Sequence, residues 1–275
     1  MEVVIGDRTI PYLLKGSRPG TIVFLPALGT RASMWSKQID RFSDRYTVVA
    51  PELGGHDSTS SGASFEDLVR DLESVLGATG ATWAHVVGIS LGGMIAQEFA
   101  LRCPERVLSL TLVNTTSRYS EETREAFRRR AKTVEQEGMS TIAESVLQRW
   151  FTPAFLQSHS EELSTVRSML LKADPHAYAS MARVVADVDT YERLPQIEVP
   201  TLVVRADEDA SMPSEASGQL AARIPNAELA RVPRLAHLFP VEGPEAFDAL
   251  FSPFLDRATK LGVLDWEREE PAHAW

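Results

Sequence analysis

The sequence has very little cysteine: Cys103 is the only one among 275 residues. A single cysteine excludes an intrachain disulfide and a cysteine-based metal cluster. Elsewhere the chain shows no metal-ligand spacing, and it has no glycine-rich loop of the kind that cradles a dinucleotide or a phosphate. We therefore expect a protein that works without a metal or any other cofactor, in a reducing compartment.

The chain also lacks a recognisable secretion signal and a membrane segment. Its first residues do not combine a basic start with an apolar core, and no uncharged apolar run reaches about 18 residues. Positive charge is in deficit, with 28 basic against 38 acidic residues and a net charge of −10. Such a surface repels nucleic acid and anionic lipid. These absences favour a cytoplasmic protein with a small-molecule partner and leave the oligomeric state open.

The sequence is rich, by contrast, in apolar segments with many β-branched residues, which are typical of buried parallel strands. The predicted parallel strands are Thr21–Leu25, Tyr46–Ala50, Ala84–Ile89, Val107–Val113, Pro200–Ala206 and Ala227–Val232. Two earlier segments, Glu2–Ile5 and Thr9–Leu14, predict an edge hairpin. The predicted helices that accompany the strands are Ala32–Arg41, Ser64–Leu76, Leu91–Arg102, Ser214–Arg223 and Pro244–Phe254. This alternation predicts an α/β fold, with a mostly parallel eight-stranded sheet covered by helices on both faces.

The alternation stops between Tyr119 and Leu194, where the pattern is helical throughout. The helices predicted there are Glu121–Glu137, Met139–Arg149, Glu161–Leu171 and Pro175–Val188. We expect residues 119–194 to form a helical cap over one edge of the sheet. The cap would be inserted into a core made of residues 1–118 and 195–275.

The strongest local signal is the segment Gly88-Ile89-Ser90-Leu91-Gly92-Gly93, which follows a predicted strand and opens a predicted helix. That context is typical of a nucleophile elbow, a sharp turn that presents a reactive serine. Side chains at positions 88 and 92 would collide with neighbouring backbone, so glycine is required there. Ser90 would lie at the N-terminus of the helix, where the dipole favours developing negative charge.

A serine hydroxyl is a weak nucleophile unless a base removes its proton. His237 follows the last predicted strand, where this architecture places its base, whereas His85 lies inside a strand and is expected to pack in the core. The base needs a carboxylate to fix its tautomer. Asp209 is preferred over Asp207 because it lies three residues beyond its strand. The predicted catalytic triad is therefore Ser90, Asp209 and His237.

A tetrahedral intermediate also needs two backbone N–H donors for its negatively charged oxygen. One comes from the residue after the nucleophile and the other from the loop after the third strand. Leu91 and Leu28 occupy these positions, and Gly29 lets the second loop curl towards Ser90. We therefore predict that Leu28 and Leu91 form an oxyanion hole.

These residues resemble the α/β-hydrolase superfamily over nearly the whole chain, from the Pro26–Gly29 loop to His237. Within it, the sequence is similar to the 3-oxoadipate enol-lactonase group of aromatic catabolism. The resembling segments are Leu28-Gly29-Thr30 with Met34-Trp35, Gly88–Met94 and, in the cap, Gly138–Pro153. The resemblance implies an esterase or lactonase that acts on a small lactone or carboxylic ester through an acyl-enzyme on Ser90.

The resemblance also nominates residues that contact the substrate. In such enzymes a cap aromatic faces the substrate, which implies Trp150, although simple packing within the cap explains that residue equally well. Enol-lactone substrates are anionic, so Arg149 and Arg183 are candidates for a cationic contact. His56 either lines the edge of the site or stabilises the turn in which it lies.

Other functions share these motifs. Carbon–carbon bond hydrolases, lyases and cofactor-free peroxidase-like members of the fold use the same kind of triad, and fold alone does not separate them. Dehalogenases and epoxide hydrolases are disfavoured, because they use a carboxylate where Ser90 stands. A ligand receptor that keeps the fold without catalysis is the remaining alternative, and an intact triad argues against it.

Overall fold

The strands lie where the apolar segments predict them. The computed structural model describes residues 1–5, 8–53, 63–158 and 160–269, and eight strands among them form one sheet. Their bounds are β1 Glu2–Ile5, β2 Arg8–Lys15, β3 Thr21–Leu25, β4 Thr47–Pro51, β5 Ala84–Ile89, β6 Val107–Val113, β7 Thr201–Ala206 and β8 Ala227–Val232. The order across the sheet is β1-β2-β4-β3-β5-β6-β7-β8. Only the pairings of β2 are antiparallel, so the mostly parallel eight-stranded sheet is confirmed.

Helices cover both faces of the sheet, and β3 and β5 are therefore completely buried. The helices are α1 Ser36–Phe42, α2 Phe65–Ala78, α3 Leu91–Arg102, α4 Glu121–Glu137, α5 Ser140–Trp150, α6 Pro153–Gln157, α7 Glu161–Lys172, α8 Pro175–Ala186, α9 Ala216–Arg223, α10 Phe239–Glu242 and α11 Pro244–Glu269. The residues of α3 from Leu91 to Ala100 are all buried. Within the described ranges no helix combines the length and apolar character needed to cross a membrane.

Between β6 and β7 the described residues form five α-helices, α4 to α8, where the sequence predicts four. The additional helix, α6, is only five residues long, which is too short to show a periodic pattern. Pro153 is its first residue, a position at which proline favours a helix, and the Thr152 hydroxyl accepts from the Phe155 N–H as its cap. Pro153 therefore starts a helix in the segment between the predicted helices Met139–Arg149 and Glu161–Leu171.

The last helix also differs from its prediction, because α11 continues beyond Phe254 to Glu269. Pro253 lies inside it and removes one backbone donor. The apolar stripe nevertheless continues on both sides of the proline and keeps this face of the helix in the core. The buried residues of that stripe are Phe247, Phe251, Phe254, Leu255 and Ala258.

The two chain segments that join the helical insertion to the sheet are bonded to each other and to α3. The Thr190 N–H donates to the Ser117 carbonyl at 2.9 Å. Gln97 of α3 donates through Nε2 to the Thr116 carbonyl at 3.1 Å and accepts from the Thr190 hydroxyl at 2.6 Å. One buried glutamine thus ties the incoming and the outgoing segment to the same helix.

His85 is a core histidine, as expected from its position in a strand. It is 1% exposed, with Nδ1 2.8 Å from the Ser109 hydroxyl and Nε2 3.2 Å from the Thr259 hydroxyl. Burial lowers the pKa of His85 from 6.5 to about 4. The ring is therefore neutral in the folded protein at pH values where the unfolded chain already takes up a proton.

We expect this difference to make the protein less stable in mild acid. Between pH 7 and pH 5 the unfolded chain gains a proton at position 85 that the folded protein does not bind, which lowers the free energy of unfolding by about 2 kcal/mol. The measurement is urea denaturation of the wild type and of His85→Gln at both pH values. The variant should lose about 2 kcal/mol less than the wild type, and equal losses would contradict the prediction.

Candidate active site

The carboxyl ends of the parallel strands meet at one edge of the sheet, which is where ligands bind in open α/β sheets. The loop after β3 carries Leu28, and Ser90 directly follows β5. The loops after β7 and β8 carry Asp209 and His237. The topology therefore brings every triad and oxyanion candidate to the same edge.

Ser90 lies in a backbone conformation that residues with side chains rarely adopt, with φ 55° and ψ −118°. Its neighbours explain why the turn is so tight. A Cβ atom on Gly88 would lie 2.1 Å from the Gly92 carbonyl oxygen, and one on Gly92 would lie 2.3 Å from that of Leu25. The chain thus passes from β5 to α3 at Ser90, with no space for larger residues on either side.

His237 and Asp209 are hydrogen-bonded and buried. His237 Nδ1 lies 3.0 Å from Asp209 Oδ2. The other oxygen of Asp209 accepts from the Ser211 N–H at 2.7 Å and the Met212 N–H at 3.3 Å, which fixes the carboxylate. Because an ionised carboxylate only accepts, Nδ1 carries the proton of the neutral ring and Nε2 is free to accept one. Asp207 instead pairs with Arg231 near the surface at 2.8 Å.

Ser90 and His237 are both anchored to the end of β6. The Ser90 N–H donates to the Val113 carbonyl at 3.0 Å, and the Thr115 hydroxyl donates to the Ser90 carbonyl at 2.7 Å. Asn114, which lies between Val113 and Thr115 in the chain, donates to the His237 carbonyl at 2.8 Å. Within the described residues no hydrogen bond joins the Ser90 hydroxyl to the His237 ring, and in sites without substrate this bond is often open.

Asn114 is a site residue that the sequence prediction missed. Its Nδ2 holds the His237 carbonyl, and its Oδ1 accepts from the Ala206 N–H at 2.8 Å, at the start of the Asp209 loop. The residue is 3% exposed and has a positive φ of 40°, which asparagine tolerates better than most residues. An asparagine directly after a buried strand was the available signal. It links the loops of His237 and Asp209 to the strand that anchors Ser90.

The two predicted oxyanion donors have N–H groups available. Leu91 is the first residue of α3, so the helix contains no acceptor for its N–H. The N–H of Leu28, which is 6% exposed, has no acceptor within the described residues. Gly29 has φ 79°, and a Cβ atom there would lie 2.8 Å from Leu170 and 3.0 Å from the Tyr178 ring. Helices α7 and α8 therefore pack directly on the loop that carries Leu28.

Trp150, at the end of α5, lies against His237. Its ring stacks on the His237 ring with a centroid distance of 6.5 Å and an interplanar angle of 27°. Its carbonyl accepts from the Leu238 N–H at 2.9 Å. The structure thus places Trp150 beside the proposed triad and packs it on His237.

The two candidate arginines differ sharply in their surroundings. Arg183 forms an exposed ion pair with Glu135 at 2.8 Å, so its charge is already neutralised. Arg149 is half-buried, and it has no carboxylate partner within the described part of the chain. Burial, followed by the nearby charge of Arg130, lowers the pKa of Arg149. An anion beside Arg149 would relieve both effects, whereas one beside Arg183 would compete with Glu135.

His56 falls outside the described residues. Among the residues that the structure does describe, no three histidine, cysteine, aspartate or glutamate side chains are placed to hold a metal ion.

Comparisons with known proteins agree with the fold. A family model described as the alpha/beta hydrolase fold matches residues 20–244. The chain is 31% identical to 3-oxoadipate enol-lactonase 2 of Acinetobacter baylyi, over 88% of this chain and 91% of that protein. It is also 31% identical to RutD of Azorhizobium caulinodans, assigned as a carbamate hydrolase, over 90% and 96%. A solved thermophilic esterase from Thermogutta terrifontis with malate bound superposes with a TM-score of 0.85 at 28% identity, over 91% and 94%.

We expect the hydrogen bond to Asp209, and not the nearby Asp207, to hold the proton on Nδ1 of the His237 ring. Asp209→Asn replaces the charged acceptor of Nδ1–H, so the low-field proton resonance of that group should shift or disappear in spectra of ¹⁵N-histidine-labelled protein. Asp207→Asn is the matched control, because it makes the same change two residues away on a carboxylate that pairs with Arg231. The same ring spectrum in wild type and Asp209→Asn would contradict the assignment.

Proposed function

This chain belongs to the α/β-hydrolase family, and from that premise we propose that it is a serine hydrolase that cleaves a small lactone or carboxylic ester through an acyl-enzyme on Ser90. One observation supports the proposal above the others. The buried Asp209–His237 pair and the strained Ser90 are fixed to consecutive residues at the end of β6. Since fold alone does not define the chemistry, the proposal rests on this arrangement.

In the first half of the reaction, His237 Nε2 takes the proton of the Ser90 hydroxyl while Oγ bonds to the substrate carbonyl carbon. The electron pair of the carbonyl double bond moves onto its oxygen, which the N–H groups of Leu28 and Leu91 receive. Asp209 stabilises the imidazolium that forms. When the tetrahedral intermediate collapses, the ester C–O bond breaks and the leaving oxygen takes the proton from His237.

In the second half, His237 removes a proton from water, and the hydroxide oxygen bonds to the acyl carbon. The oxyanion forms again at the same two N–H groups. Collapse breaks the bond to Ser90 Oγ, which recovers its proton from His237, and the free acid leaves. Ring opening of a lactone and hydrolysis of an ester follow the same steps.

Residues 119–194 act in this proposal as a cap on a core of residues 1–118 and 195–275. Contacts of the insertion with the oxyanion loop and the base support this role. Leu170 and Tyr178 lie over Gly29, and Trp150 lies against His237. A cap in this position excludes water from the acyl-enzyme and shapes the acyl pocket, with Trp150 as one wall.

The surroundings of Arg149 favour a substrate that carries a carboxylate, as an enol-lactone of the 3-oxoadipate type does. The cation is half-buried without a carboxylate partner within the described residues, and the adjacent Trp150 contacts His237. The related esterase from Thermogutta terrifontis has been solved with malate, an anion, bound, which supports the proposal of an anionic substrate for this chain.

We expect Ser90→Ala and His237→Ala each to reduce kcat for 4-nitrophenyl acetate by several orders of magnitude. The double variant should be little worse than either single variant, because the triad acts as a unit. His176→Ala is the control, since His176 is exposed, and it should retain wild-type activity. Activity that survives in Ser90→Ala, or losses that multiply in the double variant, would argue against the mechanism.

The Arg149 assignment is tested with paired substrates, one lactone bearing a carboxylate and one neutral analogue. Arg149→Met should raise KM for the anionic lactone about ten- to a hundredfold, the worth of one hydrogen bond to a charged group. KM for the neutral lactone should hardly change. Arg183→Met is the matched control and should affect neither substrate. An equal effect of Arg149→Met on both lactones would exclude a role in charge recognition.

A further inference from the structure

The residues on either side of His237, Ala236 and Leu238, both donate their backbone N–H groups to acceptors that connect them to the helical insertion, one directly and one through Glu242. On one side, the Leu238 N–H donates to the Trp150 carbonyl at 2.9 Å. On the other side, the Ala236 N–H donates to Glu242 Oε2 at 3.2 Å. Glu242 lies in α10, five residues after His237, and the mechanism described above does not use it.

The second oxygen of Glu242 reaches the insertion. Glu242 Oε1 accepts from the Thr152 hydroxyl and from the Thr152 N–H, the latter at 3.3 Å. Thr152 lies between α5 and α6, two residues after Trp150. The carboxylate therefore bridges the His237 loop and the 150–152 segment, with one oxygen on each.

The site of Glu242 suits a carboxylate with both oxygens engaged. Glu242 is half-buried, and burial raises its pKa, while the hydrogen bonds from Thr152 and Ala236 oppose that rise. A glutamine of the same shape has only one acceptor oxygen, because its NH₂ group donates. In Glu242→Gln this NH₂ group would face the backbone N–H of either Ala236 or Thr152, so two donors would meet without an acceptor.

We propose that Glu242 is a positioning residue that locks the His237 loop to the 150–152 segment of the insertion and so sets the imidazole against Ser90 and the substrate. The proposal rests on the function assigned to Ser90 and His237. Through Glu242 and Leu238, the segment that carries Trp150 is held in register with the proton acceptor. A displacement of about 1 Å in such a group can cost on the order of a hundredfold in rate.

The first test compares Glu242→Gln with Glu245→Gln, an exposed glutamate three residues later in α11 that loses the same charge. With 4-nitrophenyl acetate, Glu242→Gln should lower kcat about ten- to a hundredfold and leave KM within about threefold. Glu245→Gln should match the wild type. Thermal unfolding of each variant identifies the temperature range in which all are folded, and the kinetics are measured there. An unchanged kcat in folded Glu242→Gln would overturn the proposal.

The second test probes the hydrogen bond from the Thr152 hydroxyl to Glu242. Thr152→Val removes the hydroxyl and with it the cap of α6, so kcat should fall. Thr152→Ser keeps both the hydroxyl and the cap, so it should retain the wild-type kcat. In a double-mutant cycle with Glu242→Ala, the losses in kcat should be clearly less than multiplicative, because both changes break one link. Losses that multiply fully would show that the residues act separately and would end the proposal. If Glu242→Gln does not fold, the comparison of Thr152→Val with Thr152→Ser still tests the positioning role.

Ser90→Ala in the same assay distinguishes a failure of the positioning role from a failure of the proposed function. If it abolishes hydrolysis while the Glu242 and Thr152 variants keep the wild-type kcat, only the positioning role is wrong. If Ser90→Ala remains active, the proposed function fails, and the positioning role fails with it.

Discussion

The absence of room for a Cβ atom at Gly88 and Gly92 is the constraint on which the rest of the site depends. Gly88 lets the end of β5 approach the first turn of α3, and Gly92 lets α3 approach the end of β3 at Leu25, so that Ser90 between them must take a conformation with positive φ. Such a conformation costs on the order of 1–3 kcal/mol and persists only where surrounding structure over-determines it. Here the surroundings are the buried strand β5 and a helix that is buried from Leu91 to Ala100.

The end of β6 carries the second part of the arrangement. Ser90 is hydrogen-bonded to Val113 and Thr115, and the residue between them, Asn114, binds the His237 loop. Because parallel strands end at one sheet edge, residues far apart in sequence are held by backbone of the same rigid layer. The His237 loop is also bonded to the insertion, directly at Trp150 and through Glu242 at Thr152. The sheet and the insertion are thus both hydrogen-bonded to the His237 loop.

The sheet and the elbow could be predicted from the sequence because their signals are local: apolar periods, and glycines next to one serine. The roles of Asn114 and Glu242 could not, since most of their hydrogen bonds go to backbone groups, which leave no side-chain signature, and Asn114 bonds a residue 123 positions away. Arg149 and Arg183 look alike in sequence, and a partner 48 positions distant, Glu135, separates them. Helix α6 was too short for periodicity, and the apolar face of α11 outweighed Pro253.

Gln97 binds both segments through which the chain leaves the sheet and returns to it, at Thr116 and Thr190. The two covalent connections of the insertion are therefore held side by side on α3, the helix that begins at Ser90. Changes in the length or packing of the insertion that keep this crossing and the core contacts of Trp150, Thr152, Leu170 and Tyr178 would leave the Ser90 and His237 segments in place as well.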